Sequence, residues 1–462
     1  MALLYANNIC SEFPRCGMHK SCAAKMLRQL LGRRFLVFAI AWLAYASGYL
    51  LRKPIGVIKV DLEQEFKFTK LQLGWMDSAL TLPYATFQVL FGSVGDTLGA
   101  RRTSSAGLLI AAVSMVSFGY WNHLRMFLML LVINGIGQSQ CWPNFIKIIG
   151  LWFTNSNRNT VFGIYGTCAF AGGIAGTSLA VYLQASYGWR HIFFLPSVIV
   201  AVSSVLVFLF CSEPSELGLV IPSKDLQTTS NRDVSTVLSW SELLKMPILI
   251  DVSLAMFCLK LVRYCMYMWL PLYLLSHLSY GKTEAGMFST MFEVGGVVGS
   301  ATIGLVIDRM FKGNGILGSA ISALFCTVCL LCFTLTRHWG VAFNSAFMVL
   351  VGAFNCGPDT ILGGSVSAQL GEMNGRSSAA SVTGIVNGFG TLGTVVQGPL
   401  IGFVSEHYGW PAVFYIMVAF SMLGSVCIFH ASTLKAALAQ EQSTSSGDSR
   451  RDIQRLLVEQ EI

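Results

Sequence analysis

Two arginines lie inside long apolar runs. Arg52 closes the run FLVFAIAWLAYASGYLL, and Arg263 sits in the middle of ILIDVSLAMFCLKLVRYCMYMWLPLYLL. A charge at membrane depth costs about 2.5–3.5 kcal/mol on insertion scales, so an arginine kept there has a task. Its guanidinium stays ionised and presents a planar fork of donors that matches phosphoryl or carboxylate oxygens. The two arginines are 211 positions apart, and a second pair of landmarks, Asp96 and Asp308, is 212 apart. Matching offsets describe an internal duplication, in which each copy contributes one arginine to a single central site for an anion. The competing reading gives each arginine an intramembrane acid, Asp77, Glu293 or Asp359, or lets Arg52 reach an interface. Lys260 stands one turn before Arg263 and adds positive field to the same region.

The elements that must position these charges are membrane helices. The chain has 462 residues, 54% hydrophobic and 12% charged, against about 25% charged in soluble domains. Twelve apolar stretches have the length of a membrane-crossing helix. They are 35–58, 73–95, 104–121, 126–149, 159–184, 190–211, 248–275, 284–307, 315–335, 340–366, 378–403 and 411–431. The expected fold is an all-α membrane protein of two six-helix repeats, 35–211 and 248–431. A polar loop at 212–247 separates the repeats. A basic tail, 1–34, precedes them, and a Ser-rich, mobile tail, 432–462, follows. Arg101, Arg102, Arg158, Arg309 and Lys312 share one side with the N-terminal basic residues if the spans alternate. The positive-inside rule makes that side, and both termini, cytosolic. The same rule accounts for the net charge of +8, so nucleic acid is not an expected partner and the lipid bilayer is.

Thirteen cysteines show no metal spacing, and Cys326, Cys329 and Cys332 read as small apolar residues within a span. No cofactor is expected. Forty-five glycines include Gly172, Gly173 and Gly176 in one span, Gly295, Gly296 and Gly299 in another, and Gly384 and Gly388 in a third. Their spacing is that of close helix packing in lipid.

Gly92-x-x-x-Asp96-x-x-Gly99-x-Arg101-Arg102 resembles the loop motif of the major facilitator superfamily, and Asp308-Arg309 repeats its core in the second half. A carboxylate at a helix end, with cations nearby, can latch helices in one state and release them in another. Parallel repeats with a site at the midplane are the plan of that superfamily. YASGYLLRKP is similar to the first-helix signature of the organophosphate:phosphate antiporters. LKLVRYCMYMWLPLYL resembles their seventh helix, GIGQSQCWPNFIKIIGLWF their fourth, and MFEVGGVVGSATIGLVIDR their eighth. SEPSELGL resembles the stretch after their sixth helix.

The resemblance implies exchange of a phosphorylated small organic anion for inorganic phosphate by alternating access. It makes Arg52 and Arg263 the phosphate-gripping pair, Tyr45 and Tyr49 pore tyrosines, and Lys53 the partner of an Arg-Lys pair. Tyr49 falls one turn from Arg52 on the same helix face. Gln88 stands where some members carry a helix-two lysine and is read as a substrate-binding residue. None of the seven histidines falls mid-span, which argues against proton coupling through a central histidine. Lys147 aligns with a basic family position and reads as a path residue or a snorkelling lysine. Asp452-x-x-x-Leu456-Leu457 resembles an acidic dileucine signal read by sorting adaptors. The expected location is an endomembrane such as the endoplasmic reticulum, with the lysosome or plasma membrane as alternatives. A facilitator for another organic anion and a transport-inactive sugar-phosphate sensor are the competing functions. No enzyme motif such as HExxH or GxSxG is present, so an enzyme is not expected.

Overall fold

A computed structural model describes residues 20–68, 70–153, 157–217, 246–276, 282–336, 339–373 and 378–459. Within these residues the regular structure is helical. The first half contains α1 (Lys20–Arg52), α2 (Lys70–Leu90), α3 (Ala100–Phe118), α4 (Leu124–Ser139, resuming as Cys141–Trp152), α5 (Arg158–Tyr187) and α6 (Phe194–Phe210). The second contains α7 (Pro247–Ser276), α8 (Lys282–Met310), α9 (Gly315–Thr336), α10 (Val341–Thr360), α11 (Ala379–His407) and α12 (Gly409–Glu459). After Thr360, α10 widens into a π-helical turn, Ile361–Val366, and resumes as Ser367–Glu372.

Each expected apolar span coincides with a helix. Eight helical segments among the described residues are long and apolar enough to cross a bilayer. The remaining four are α2, α3, α4 and α7. Asp77 and Thr81, which line the cavity described below, dilute the hydropathy of α2, and α4 is interrupted at Gln140. Beyond 432, where the sequence suggested a mobile tail, the structure continues α12 to Glu459. The segment TLKAALAQEQ, rich in alanine and straight-chain residues, favours that continuation.

The duplication is visible in the packing. In the first half α1 packs on α5 and α6, α2 on α4, and α3 on α4 and α6. In the second, α7 packs on α11 and α12, α8 on α10, and α9 on α10 and α12. Adding six to each label turns the first set into the second. The halves meet along α5–α8 and α2–α11, two seams that the same operation exchanges. Both seams are too close for larger side chains. A Cβ on Gly163 would stand 2.2 Å from the Ser300 carbonyl oxygen, and one on Gly384 would stand 2.7 Å from that of Gln88. Gly172 sits as tightly within the first half, where a Cβ would come 2.5 Å from the Ala46 carbonyl oxygen on α1.

Candidate functional site

A cavity of about 240 Å³ lies between the halves. It is small beside the roughly 300–1,000 Å³ of pockets for drug-sized ligands. Tyr45, Tyr49, Arg52 and Lys53 face it from α1 and the residue after it, and Lys260, Arg263 and Tyr264 face it from α7. On α2, Asp77, Leu80, Thr81 and Tyr84 follow one another at helical spacing along its wall. Asn387, Thr391 and Thr394 do the same on α11.

The two arginines are held differently. Arg52 is turned into the cavity. Its Nε donates to Gln138 Oε1 at 2.6 Å, and its guanidinium lies 4.6 Å and 5.2 Å from the ring centroids of Tyr84 and Tyr49. Gln138 is itself oriented, because its Nε2 donates to Asn134 Oδ1 at 2.8 Å. Arg263 makes an ion pair with Asp359, Nη1 to Oδ2, at 2.5 Å, and stands 4.3 Å from the Phe170 ring centroid. The acid-pairing alternative therefore holds for Arg263 and not for Arg52, which among the described residues has a neutral amide and aromatic faces for company. Lys53 pairs across the halves with Glu293 at 3.4 Å. The cavity lining thus carries four cations, Arg52, Lys53, Lys260 and Arg263, and three acids, Asp77, Glu293 and Asp359. Burial makes that imbalance felt, because charges removed from water interact more strongly.

Tyr45 packs 4.9 Å from Trp142 and 5.8 Å from Tyr49, ring centroid to centroid, in an aromatic wall beside Arg52. Gln88 does not line the cavity. It lies one turn beyond Tyr84, fully buried, donating to the Ser139 carbonyl at 3.0 Å and accepting from Asn387 Nδ2 at 2.7 Å. Asn387 in turn accepts from Lys260 Nζ. Gln88 therefore ties α2 to α11 beneath the cavity floor and bears on Lys260 through one intermediary. Trp142 closes the floor beside it, its Nε1 donating across the halves to the Gly363 carbonyl at 2.9 Å. Tyr84, Gln138 and Asn387 went unread in the sequence. They are neutral and do not break the hydropathy of their spans.

The loop motifs lie beyond the floor, away from Asp77, and they are crossed. Asp96 of the first half accepts from the Ala380 and Ser381 amides at 3.3 and 2.9 Å and from Ser381 Oγ at 2.6 Å, at the N-terminus of α11. Asp308 of the second half accepts from the Thr160 amide and Oγ1, both at 2.6 Å, and from Asn159 Nδ2 at 2.8 Å, at the N-terminus of α5. Each carboxylate satisfies orphan amides of a helix in the other half and meets the positive end of its dipole. Lys147, read from sequence as a path or snorkelling residue, forms a buried pair with Asp96 at 3.2 Å and stands 3.8 Å from Glu213. Arg158 adds a bidentate contact to Glu372 across the halves, at 3.0 and 3.2 Å. Gly99 turns the chain at φ +92°, which glycine alone adopts freely, and Gly92 lies against the α11 backbone at Ser381. Arg101 pairs with Glu216 at 3.1 Å, while Arg102 and Arg309 are exposed. The side chains of Asp452, Leu456 and Leu457 lie outside those the structure describes.

Residues 35–380 match the family model described as Major Facilitator Superfamily. The chain belongs to the major facilitator superfamily. Its relatives include "Sugar phosphate exchanger 3" of Gallus gallus, 30% identical, with 85% of this chain and 90% of that protein covered. "Glucose-6-phosphate exchanger SLC37A2" of Homo sapiens is 27% identical over 91% of this chain and 96% of that protein. These are the organophosphate:phosphate antiporters that the helix signatures resembled. Among solved structures, FucP in the outward conformation matches with a TM-score of 0.66 at 17% identity, covering 86% of this chain and 99% of that one. The human organic anion transporter MFSD10 matches equally well, at 16% identity and the same coverage. At these identities the likeness is one of fold.

Proposed function

We propose that this major facilitator protein exchanges a phosphorylated small organic anion, a sugar phosphate or glycerol 3-phosphate, for inorganic phosphate by alternating access. The observation that carries the reading is the pair of arginines, one from each half, on a single small cavity whose cations outnumber its acids. The names of the relatives supply the substrate class. A phosphoryl group engaged by Arg52 and Arg263 together draws the halves onto each other, and the fork geometry favours arginine over lysine at both places. Tyr45, Tyr49, Lys53 and Lys260 complete the anion's surroundings. The crossed contacts of Asp96 and Asp308 close the opposite end, so the cavity is reached in this state from the Asp77 side. On the sequence's charge distribution, the latched end is cytosolic, as are both termini. An endomembrane such as the endoplasmic reticulum fits this reading, and Asp452, Leu456 and Leu457 stand as a sorting signal for an adaptor.

The test is phosphate counterflow in proteoliposomes loaded with unlabelled phosphate, with glucose 6-phosphate, glycerol 3-phosphate and phosphoenolpyruvate as competitors. Uptake that needs internal phosphate, and that a phosphorylated competitor blocks, is the expected result. Arg52→Ala and Arg263→Ala should each abolish it, and the lysine variants should restore little. Folded wild-type protein that shows no counterflow, or normal exchange by both alanine variants, refutes the reading.

A further inference from the structure

The unequal partners of the two arginines carry more than a binding site. Arg52 donates to a neutral amide, Gln138 Oε1, and among the described residues no carboxylate stands within ion-pair reach of it. Arg263 is already occupied by Asp359. Asp359 is 5% exposed, and its second oxygen, Oδ1, is buried without a hydrogen-bond partner. Among the described residues Arg263 is therefore the one ion-pair or hydrogen-bond partner of this side chain, and none of them fixes the carboxylate from its other edge. It also stands at an irregular place in α10, after Pro358 and two residues before the π-helical turn Ile361–Val366. Such turns loosen the regular ladder of backbone bonds and cluster where function needs local adjustment.

We propose that Asp359 is a resident counter-anion that competes with the transported anion for the Arg263 guanidinium. Substrate then docks first on Arg52 and gains Arg263 as Asp359 withdraws. The inference deepens the exchange reading and rests on it. A carboxylate and a phosphoryl group use the same donor fork, and two anions on one guanidinium repel each other. Lys260, one turn before Arg263 and on the same cavity, offers the withdrawn carboxylate a second cation. The apparent dissociation constant for substrate is the intrinsic one divided by the fraction of molecules in which Arg263 is free, so Asp359 weakens binding and hastens release. It is a positioning residue, acting through Arg263.

The experiment compares wild type, Asp359→Asn and Gln138→Glu in phosphate counterflow over a range of phosphate concentrations. Asp359→Asn frees Arg263 and should lower the half-saturating phosphate about tenfold, with a lower maximal rate because release slows. Gln138→Glu gives Arg52 the counter-anion it lacks and should raise half-saturation by a similar factor. An unchanged or higher half-saturation for Asp359→Asn overturns the proposal, as does a fall in maximal rate alone. If Asp359→Asn does not turn over, calorimetric binding of inorganic phosphate to the purified variant reads the same quantity. Tighter binding than wild type supports the competition, and equal or weaker binding refutes it. Absence of counterflow by wild type would instead count against the exchange reading, and the calorimetric comparison would still decide the role of Asp359.

Discussion

Removing the two crossed carboxylates should tip the protein towards its other face. Asp308 accepts three hydrogen bonds from α5, at 2.6, 2.6 and 2.8 Å. Hydrogen bonds to a charged acceptor contribute about 1.5–3 kcal/mol each when buried, and capping substitutions cost about 0.5–2 kcal/mol in total once water replaces the lost partner. Taking the upper end of the capping range, a net loss of about 2 kcal/mol for Asp308→Ala shifts the equilibrium roughly thirtyfold. Asp96 is worth more to this state. Its loss also strands Lys147, a buried lysine whose nearest remaining carboxylate is Glu213 at 3.8 Å. Breaking a buried pair from one side costs about 3–5 kcal/mol. The double variant therefore loses about 5–7 kcal/mol, against the roughly 5.5 kcal/mol needed to invert a 99:1 population. Spin labels at Leu98→Cys and Met310→Cys, exposed positions beside the two motifs, report the opening as a distance distribution. Cys10, Cys16, Cys22, Cys329 and Cys332 are replaced beforehand. The expected order of displacement is Asp308→Ala, then Asp96→Ala, then the double variant. A distribution in the double variant that matches wild type refutes the latch argument, and a larger effect from Asp308 than from Asp96 refutes the role given to Lys147.

Two glycines separate conformational from structural packing. Gly163→Ala pushes against α8 across the halves and should disfavour this state, moving the same label distance. Gly172→Ala pushes against α1 within one half and should lower thermal stability by about 1–3 kcal/mol without moving that distance. Arg158→Gln removes the bidentate contact to Glu372 across the halves and should open the latched end, read as a shift of the same label distance. At the opposite end, the indole of Trp189, and after it Arg190, hold the Glu65 carboxyl below the usual carboxylate range. A depressed folded value means that this contribution to stability is full at neutral pH and is lost as pH falls through that value. Glu65→Gln should therefore flatten the acid limb of a thermal-stability profile and leave the neutral limb parallel to wild type; an unaltered acid limb removes the carboxylate from the account.

Charge was what made the site legible. Arg52, Arg263, Lys53 and Lys260 break the hydropathy of their spans and announce themselves, and all four line one cavity. Asp77, Glu293 and Asp359 were visible for the same reason, but pairing Asp359 with Arg263 and Glu293 with Lys53 needs the helices placed side by side. Gln88 was read into the cavity by its alignment with a charged family position. As a neutral amide it finds partners in Ser139 and Asn387 instead, and it serves the seam. Tyr84, Gln138 and Asn387 gave no signal because an amide or a phenol sits in an apolar run at little hydropathic cost. The latch partners were hidden differently. Lys147 and Arg158 sit near the ends of spans, where a cation is ordinary, so nothing in the sequence distinguishes a buried inter-half pair from a residue reaching water. The repeat itself was legible from two offsets, and the packing of α1–α6 reproduces it helix for helix in α7–α12.

The crossing of the caps has a meaning for descent. Asp96 finishes a helix of the second half, and Asp308 finishes the equivalent helix of the first. Neither half closes its own helix N-terminus; each supplies the acid that the other needs. That reciprocity, in which patch i meets patch j and j meets i, defines an isologous two-fold interface. A single six-helix ancestor bearing one such aspartate would have met a second copy of itself with both ends satisfied. The present chain keeps that arrangement as a dimer whose subunits have been joined end to end, and its later specialisation is written in the places where the two copies no longer agree, Gln138 beside Arg52 and Asp359 beside Arg263.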